Sequence, residues 1–301
     1  MPSGEGSRQS SGVLMVLASA ITFGTIPILG KFAYSTGMTP LQILTFRFLI
    51  AAAGLLVVCV ATRPGPNGVG IARAVRVLLA GLVFYAGAAG SFFGALTSLP
   101  ASLTSLIAYL YPTLVAMAGW AVLGDRFSPR VAAALVVSFG GLALLVGGVD
   151  LRGGLPLVLA FASPVLYAGY ILASERLTRG ISPVLSSALV HTGAAISFSF
   201  ALLAFGQREL PPSVEAWALV AAIALLPSML GISLLLAGIV RTGATRAAIL
   251  STFEPVVTIV LATSLLGDRL SPFQVAGAGM VLAAVILTQW RRPEPVPPLQ
   301  P

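Results

Sequence analysis

The composition of this chain excludes a soluble globular domain. Its 301 residues are 57% hydrophobic and only 9% charged, with a mean hydropathy of +0.99, whereas soluble domains carry about 25% charged residues. Most of the surface must therefore face lipid, and the formal net charge of +8 reflects basic membrane loops rather than a nucleic-acid partner. With one cysteine and one histidine, the sequence predicts no intramolecular disulfide, no Cys/His metal cluster and no cofactor.

Apolar runs separated by short polar breaks predict an all-α integral membrane protein with ten transmembrane helices. Each run is close to the roughly 20 residues that cross the hydrocarbon core as a helix. For the first run, a cleavable signal peptide ending near residues 17–20 is the alternative, disfavoured because the run continues past that point. The predicted spans, numbered 1 to 10, are 12–34, 41–61, 75–97, 101–123, 130–148, 154–174, 184–205, 216–240, 245–266 and 272–290.

Basic residues predict how the chain sits in the membrane. With the N-terminus inside, twelve Lys and Arg residues fall in inside segments, and Arg152, Arg208 and Arg269 fall in outside segments. Cytoplasmic loops carry such an excess. We therefore expect a multi-pass protein of the plasma or inner membrane, with a disordered cytoplasmic N-terminus at 1–11 and a proline-rich cytoplasmic tail at 291–301.

Two nearly identical heptads indicate an internal duplication. Residues 123–129 read LGDRFSP and residues 266–272 read LGDRLSP, so Asp125 and Asp268 lie 143 residues apart. The same offset relates Pro112 to Pro255, and it relates four Ser/Thr-Pro pairs that open spans, where the hydroxyl caps the helix and proline fits its first position. These pairs are Thr39-Pro40 with Ser182-Pro183, and Ser128-Pro129 with Ser271-Pro272. The predicted repeats cover 12–148 (spans 1–5) and 154–290 (spans 6–10).

The number of spans in each repeat predicts their relative orientation. Because five is odd, the second repeat enters the membrane from the opposite side, which makes the two an inverted pair. Secondary transporters commonly have this architecture, with the substrate bound near the midplane between the repeats.

The chain resembles a ten-span member of the drug/metabolite transporter superfamily with two EamA domains. The stretches that carry the resemblance are ITFGTIPILGKFA, LTFRFLIAA, ASLTSLIAYLYPTLVAMAGWAVLGDRFSP and RTGATRAAILSTFEPVVTIVLATSLLGDRLSP. The family more often has Glu where this chain has Asp125 and Asp268. The resemblance implies export or exchange of amino acids or similar small metabolites by alternating access. Span 1 lacks the acid that small four-span multidrug relatives use, so their mechanism is not carried over.

Glu254 is the most informative single residue. It lies near the middle of span 9, where an acid is costly enough to indicate function. The neighbouring Pro255 removes the helix hydrogen bond to the carbonyl of Ser251, and Pro112, its counterpart in span 4, follows Tyr111. Proline-interrupted spans at matched positions point to a binding site. Glu254 either binds a substrate ammonium or carries a coupling proton; the alternative is a structural acid paired with a basic residue or a backbone N–H.

Other polar residues inside the spans complete the predicted site. Arg47 either binds a substrate carboxylate or extends to the interface, which we expect of Lys31. His191 offers a second site for proton coupling or, alternatively, a helix–helix hydrogen bond. Phenols inside a membrane need hydrogen-bond partners and suit a cavity. The predicted substrate-binding residues are Glu254, Tyr111, Tyr109, Tyr85, Arg47, Tyr167, Tyr170 and Ser251, and the predicted kinks or gates are Pro112, Pro255, Pro27 and Pro164.

Several features are predicted to be structural. We expect Asp125 and Asp268 to pair or cap locally. We expect the Gly90–Gly94 pair to allow close helix packing, either within a monomer or at a dimer interface.

An uptake permease or channel remains an alternative to an exporter. An integral membrane transferase is disfavoured, since the spans carry no clustered acid, histidine or nucleophile. The partners we expect are a small-molecule substrate and the lipid bilayer.

Overall fold

The computed structural model describes residues 3–62, 69–123, 129–146, 154–178, 181–207, 209–242, 247 and 250–289. This part of the chain is helical and contains no strand. Six of its helices are long and apolar enough to cross a membrane by length and composition: Ser10–Ser35, Pro40–Thr62, Ile71–Leu96, Gly154–Ser174, Pro183–Ala204 and Val214–Ile239. Shorter apolar helices cover Ala101–Val115, Ala132–Leu145, Phe253–Leu266 and Pro272–Leu287. The chain is therefore a multi-pass membrane protein, as its composition predicts.

The helices follow the predicted spans in chain order, and several spans consist of more than one helical segment. Span 1 comprises Ser3–Gly24 and Ile26–Ser35, and span 2 is Pro40–Thr62. The remaining bounds are Ile71–Ala80, Gly81–Tyr85 and Ala86–Leu96 for span 3, Ala101–Ala108 and Tyr111–Leu123 for span 4, Pro129–Val146 for span 5, Gly154–Leu177 for span 6, Pro183–Ala204 for span 7, Val214–Ile223, Ala224–Gly231 and Ile232–Thr242 for span 8, Phe253–Leu261 and Ala262–Leu266 for span 9, and Pro272–Gln289 for span 10.

Three of the four Ser/Thr-Pro pairs form the helix caps that their sequence predicts. The Thr39 hydroxyl accepts from the Gln42 N–H, and the Gln42 side chain accepts from the Thr39 N–H. Ser271 and Gln274 form the same reciprocal capping box at the start of span 10. Ser182 accepts from the Leu185 N–H at the start of span 7. The fourth pair begins at a residue outside the described part.

Spans 4 and 9 are interrupted at equivalent positions. In span 4 the helix breaks at Tyr109 and Leu110, just before Tyr111-Pro112; in span 9 it breaks at Thr252, just before Phe253. Tyr109 and Thr252 are 143 residues apart. A proline three residues downstream of the break removes one N–H from the helix ladder in each span. Each proline leaves the carbonyl four residues before it, that of Ala108 or Ser251, without its helical donor.

Spans 3 and 8 each contain a π-helical segment, Gly81–Tyr85 and Ala224–Gly231. Their first residues are again 143 apart. A π segment adds a residue to a helical turn and changes which side chains face a given neighbour, and such segments are frequent at functional sites. Tyr85 ends the first segment, and its counterpart Ser228 lies within the second.

The two halves are packed against each other throughout the described part. Span 1 packs on span 8, and span 3 packs on span 6. Because spans 1 and 6 are counterparts in the two repeats, and so are spans 3 and 8, these two contacts are equivalent. Spans 2 and 7, 4 and 9, and 5 and 10 each pack on their own counterpart. At the contact between spans 5 and 10, Gly141 and Gly277 face each other so closely that a Cβ on either residue would meet the other's carbonyl oxygen. Small residues allow this approach.

Two local expectations are wrong. The first helix begins at Ser3 rather than near residue 12, because no proline interrupts the polar segment between Ser3 and the apolar run. Asp268 does not pair locally: its Oδ2 accepts from the N–H and the hydroxyl of Ser102 at 3.0 and 2.9 Å, and so caps the distant span 4. Asp125 lies outside the described residues. The Gly90–Gly94 pair packs inside the molecule, against Phe198 and Leu159.

Candidate functional site

A cavity lies between the two halves, with a volume of about 270 Å³. This is close to the lower end of small-molecule sites, which run from roughly 300 Å³ upward. The predicted residues that line it are Glu254, Tyr111, Tyr109, Tyr85, Arg47, Tyr167, Tyr170, Ser251, His191, Pro27 and Pro164. Pro112 and Pro255 are buried and do not line it; they shape the backbone behind its wall.

Glu254 contacts a tyrosine, not a basic residue. The Tyr109 hydroxyl oxygen lies 3.0 Å from Oε2 of Glu254 and 2.6 Å from the carbonyl oxygen of Ser251. That carbonyl is the one that Pro255 leaves without a helix donor. Among the described residues, no Lys or Arg lies within ion-pair distance of Glu254, so the structural alternative of a local ion pair has no support in this part of the chain.

Arg47 is drawn into the protein rather than extended to the interface. Its side chain is only 5% exposed, and its Nε donates to the hydroxyl of Ser228 at 3.1 Å. The guanidinium carbon lies 4.9 Å from the ring centre of Phe48 and 5.6 Å from that of Phe93, within the range of cation–π attraction. No carboxylate in the described residues pairs with it, so its terminal N–H groups are available to a ligand in the cavity.

Four tyrosines form one side of the cavity. Tyr85 lies 5.0 Å from Tyr170 and 6.3 Å from Tyr167, and Tyr111 meets Tyr167 edge-on at 4.7 Å between ring centres. Edge-to-face and tilted pairs at these distances are favourable. The four rings come from spans 3, 4 and 6, so the cavity has an aromatic wall contributed by both halves.

His191 is held by its own helix. Its Nδ1 lies 2.8 Å from the carbonyl oxygen of Ser187, and since a carbonyl only accepts, Nδ1 carries a hydrogen. The ring is 5% exposed and packs against both Phe48 and Tyr85, each 5.6 Å away between ring centres. Its Nε2 has no hydrogen-bond partner among the described residues. The expected helix–helix hydrogen bond is therefore absent from this part of the chain.

The sequence did not single out several cavity residues. Ser228 holds Arg47, and Ser163, Phe23 and Phe93 also line the cavity. A signal existed for Ser228, since the 143-residue offset places it opposite Tyr85. For the phenylalanines there was none, because an aromatic residue in an apolar helix looks the same whether it faces lipid, a neighbour or a cavity.

The cavity offers acid, guanidinium and phenol groups to a small molecule. In the described part of the chain, no group of three or more His, Cys, Asp or Glu side chains lies together as a metal site would require. Non-covalent binding of a polar solute is the chemistry that this set of groups supports.

Comparison with known proteins decides the family. The model of the EamA-like transporter family matches residues 10–147 and again residues 154–290. The chain belongs to this family, within the drug/metabolite transporter superfamily. It is therefore a transporter, and the double match agrees with the duplication predicted from the two heptads.

Relatives and a solved structure cover nearly the whole chain. An uncharacterized transporter of Bacillus subtilis, YcbK, is 27% identical over 297 residues and covers 94% of both chains. A second B. subtilis transporter, YyaM, is 24% identical over 91% of this chain and 92% of its own length; one from Archaeoglobus fulgidus is 23% identical over 93% and 96%. A crystal structure with 22% identity superposes with a TM-score of 0.65 over 92% of this chain and 97% of that one, which shows the fold.

Proposed function

We propose that this transporter is a secondary exporter of amino acids or similar small metabolites, which bind in the cavity between the two repeats. The observation that carries the proposal is that one apolar, aromatic cavity contains both a guanidinium and a carboxyl group, and that neither has an ion-pair partner among the described residues. Arg47 presents guanidinium N–H groups without a carboxylate partner, and Glu254 presents a carboxyl group without a basic partner. A solute with both a carboxylate and an ammonium satisfies both groups, and it also removes the cost of leaving them unpaired in a membrane.

Alternating access accounts for the transport step. The cavity lies where the halves meet, and inverted repeats let one arrangement of the halves open the cavity to one side and its mirror arrangement open it to the other. The excess of basic residues in the segments predicted to be inside supports the orientation with both termini cytoplasmic, in the plasma or inner membrane. Transport then runs outward down the solute gradient or against it with a coupled ion.

Thermal-shift screening followed by counterflow tests the proposal. The purified protein is screened against the common amino acids and related metabolites, since a ligand that binds only the folded state raises the melting temperature. Proteoliposomes preloaded with the best unlabelled ligand are then given a trace of the labelled one. A carrier accumulates label transiently, and we expect Arg47→Ala and Glu254→Gln to reduce that accumulation at least tenfold, the effect of about 1.4 kcal/mol of lost binding.

A matched control separates the site from general damage. Glu215→Gln also neutralises one carboxylate, but Glu215 is exposed at the start of span 8 and lies outside the cavity lining. It should transport like the wild type. Full counterflow in Glu254→Gln and Arg47→Ala would refute their role, and flux without saturation or counterflow would favour a channel.

A further inference from the structure

The hydroxyl of Tyr109 contacts two oxygens but has one hydrogen to donate. Its oxygen lies 2.6 Å from the Ser251 carbonyl oxygen and 3.0 Å from Oε2 of Glu254. A carbonyl oxygen accepts and never donates, so the shorter contact requires that Tyr109 give its hydrogen to Ser251. The hydrogen in the contact between Tyr109 and Glu254 must then come from the carboxyl group of Glu254.

We infer that Glu254 is a protonated carboxylic acid in this conformation, and that Tyr109 is the positioning residue that selects that form. Only a neutral Glu254, donating its O–H to the Tyr109 oxygen, turns both short contacts into hydrogen bonds. With an ionised carboxylate, one of the two contacts would bring lone pairs of two oxygens together without a hydrogen between them, which is unfavourable. The inference rests on the transport function proposed above and specifies what Glu254 carries.

The proline of span 9 is the reason this arrangement exists. In an uninterrupted helix, the Ser251 carbonyl would accept from the N–H four residues later, but that residue is Pro255, which has none. The free carbonyl recruits the Tyr109 hydrogen. The Tyr109 oxygen in turn has its lone pairs directed at Glu254. Pro255 therefore favours the protonated form of its neighbour Glu254, and it does so through Tyr109, which lies 145 positions away in the sequence.

The other titratable groups near the cavity do not supply a second partner for the Glu254 carboxyl group. Span 1, which packs against span 9, contacts it through Gly24, and its Tyr34 donates to the Phe93 carbonyl. Span 4 contributes Tyr109 and Tyr111, which are neutral phenols. The groups that line the cavity from the remaining spans are Tyr85, Tyr167, Tyr170, Arg47 and His191. Arg47 is the cation among them, and among the described residues it contacts Ser228 and the rings of Phe48 and Phe93.

Ligand binding and proton release are linked by this geometry. When a substrate ammonium approaches, the Glu254 O–H bond breaks and its proton leaves to water in the cavity. The carboxylate that remains pairs with the ammonium, and the Tyr109 O–H turns from Ser251 toward Oε2. No proton passes from Tyr109 to any other group. Net, one proton is exchanged for one cationic group at the same site, which couples outward transport to an inward proton gradient.

Infrared spectroscopy of the unliganded protein in lipid nanodiscs at neutral pH tests the protonation state without knowledge of the substrate. We expect the wild type to show a carbonyl band of a protonated carboxylic acid that shifts in D₂O. Glu254→Gln should lose this band, and Glu215→Gln should keep it. If Glu254→Gln instead loses only ionised-carboxylate bands, the inference is wrong.

Tyr109→Phe provides the second variant and tests positioning. It keeps the ring but removes the oxygen that accepts from Glu254, so the acid band should shift or disappear; an unchanged band would show that Tyr109 does not select the protonated form. Transport separates this inference from the proposed function. If the protein shows counterflow but no acid band, the protonated state of Glu254 is refuted and the proposed function stands. If it shows the acid band but binds and transports no screened metabolite, the proposed function is refuted and the protonated state stands.

Discussion

At the residue scale, Arg47 shows how a buried charge is held in a membrane protein without a counter-ion among the described residues. One N–H of the guanidinium is satisfied by Ser228, and the rings of Phe48 and Phe93 lie within cation–π range. Ser228 in turn donates to the carbonyl of Ile223, five residues earlier, a π-helical spacing. The charge is therefore positioned by a residue of the π-helical segment of span 8, and Arg47 lines the cavity.

Replacing Ser228 should lower the free energy of unfolding more than replacing an ordinary serine in the same span. Ser228→Ala removes the acceptor for a charged donor, an interaction worth about 1.5–3 kcal/mol, so we expect a lower free energy of unfolding and weaker binding of carboxylate-bearing ligands. The measurement is the melting temperature with and without ligand. Ser233→Ala is the control, since Ser233 is exposed and bonds only to the Met229 carbonyl. Equal melting temperatures for the two variants would contradict the role of Ser228.

The sequence predicts some of these residues and not others, for physical reasons. Glu254 and Arg47 are conspicuous because a charge inside an apolar run is rare. Their partners are not: Ser228 and the Ser251 carbonyl acquire their roles from a helix register shift and a helix break, which depend on how spans 8 and 9 pack. Asp268 was wrongly expected to act locally because its partner, Ser102, is distant in sequence.

At the element scale, the sequence predicts the ends of helices better than their interiors. The Ser/Thr-Pro signals at Thr39, Ser182 and Ser271 depend on two to four consecutive residues, and the structure forms each cap. The π segments of spans 3 and 8 have no such local signal, because one additional residue per turn leaves the apolar character of a membrane helix unchanged. Their occurrence at equivalent positions of both repeats indicates that packing between the halves maintains them.

The contact between spans 5 and 10 depends on glycine at one position of a helix and tolerates alanine two residues away. A Cβ at residue 277 would lie 2.5 Å from the Gly141 carbonyl oxygen and 3.0 Å from the Leu145 nitrogen, both backbone atoms, whereas a Cβ at residue 279 would meet nothing within 4 Å. We expect Gly277→Ala to destabilise by about 1–3 kcal/mol. Gly279→Ala should instead stabilise by roughly 0.5–1 kcal/mol. Thermal unfolding in detergent measures both, and a Gly277→Ala protein as stable as Gly279→Ala would contradict this packing.

At the scale of the whole molecule, the protein is one body made of two sequence repeats. The most extensive helix contacts, of span 5 with 10, 2 with 7, 1 with 8 and 3 with 6, all join one repeat to the other. The cavity also takes residues from both, with Arg47 from the first repeat and Glu254 from the second. Because the charged groups are not duplicated, the two halves are equivalent in fold and different in chemistry.

Neither repeat should therefore be stable alone. Expressed separately, 1–150 and 151–301 would each expose the helix faces that pack on the other half, including the Gly141 and Gly277 surfaces. Lipid can cover these faces, but it does not replace the close helix contacts or the Ser102–Asp268 cap that joins span 4 to the end of span 9. We expect each half alone to be degraded or to aggregate, and the co-expressed halves to co-purify and melt cooperatively. A monodisperse, cooperatively melting half would show that a single repeat folds by itself and that contacts between repeats are not what stabilises the protein.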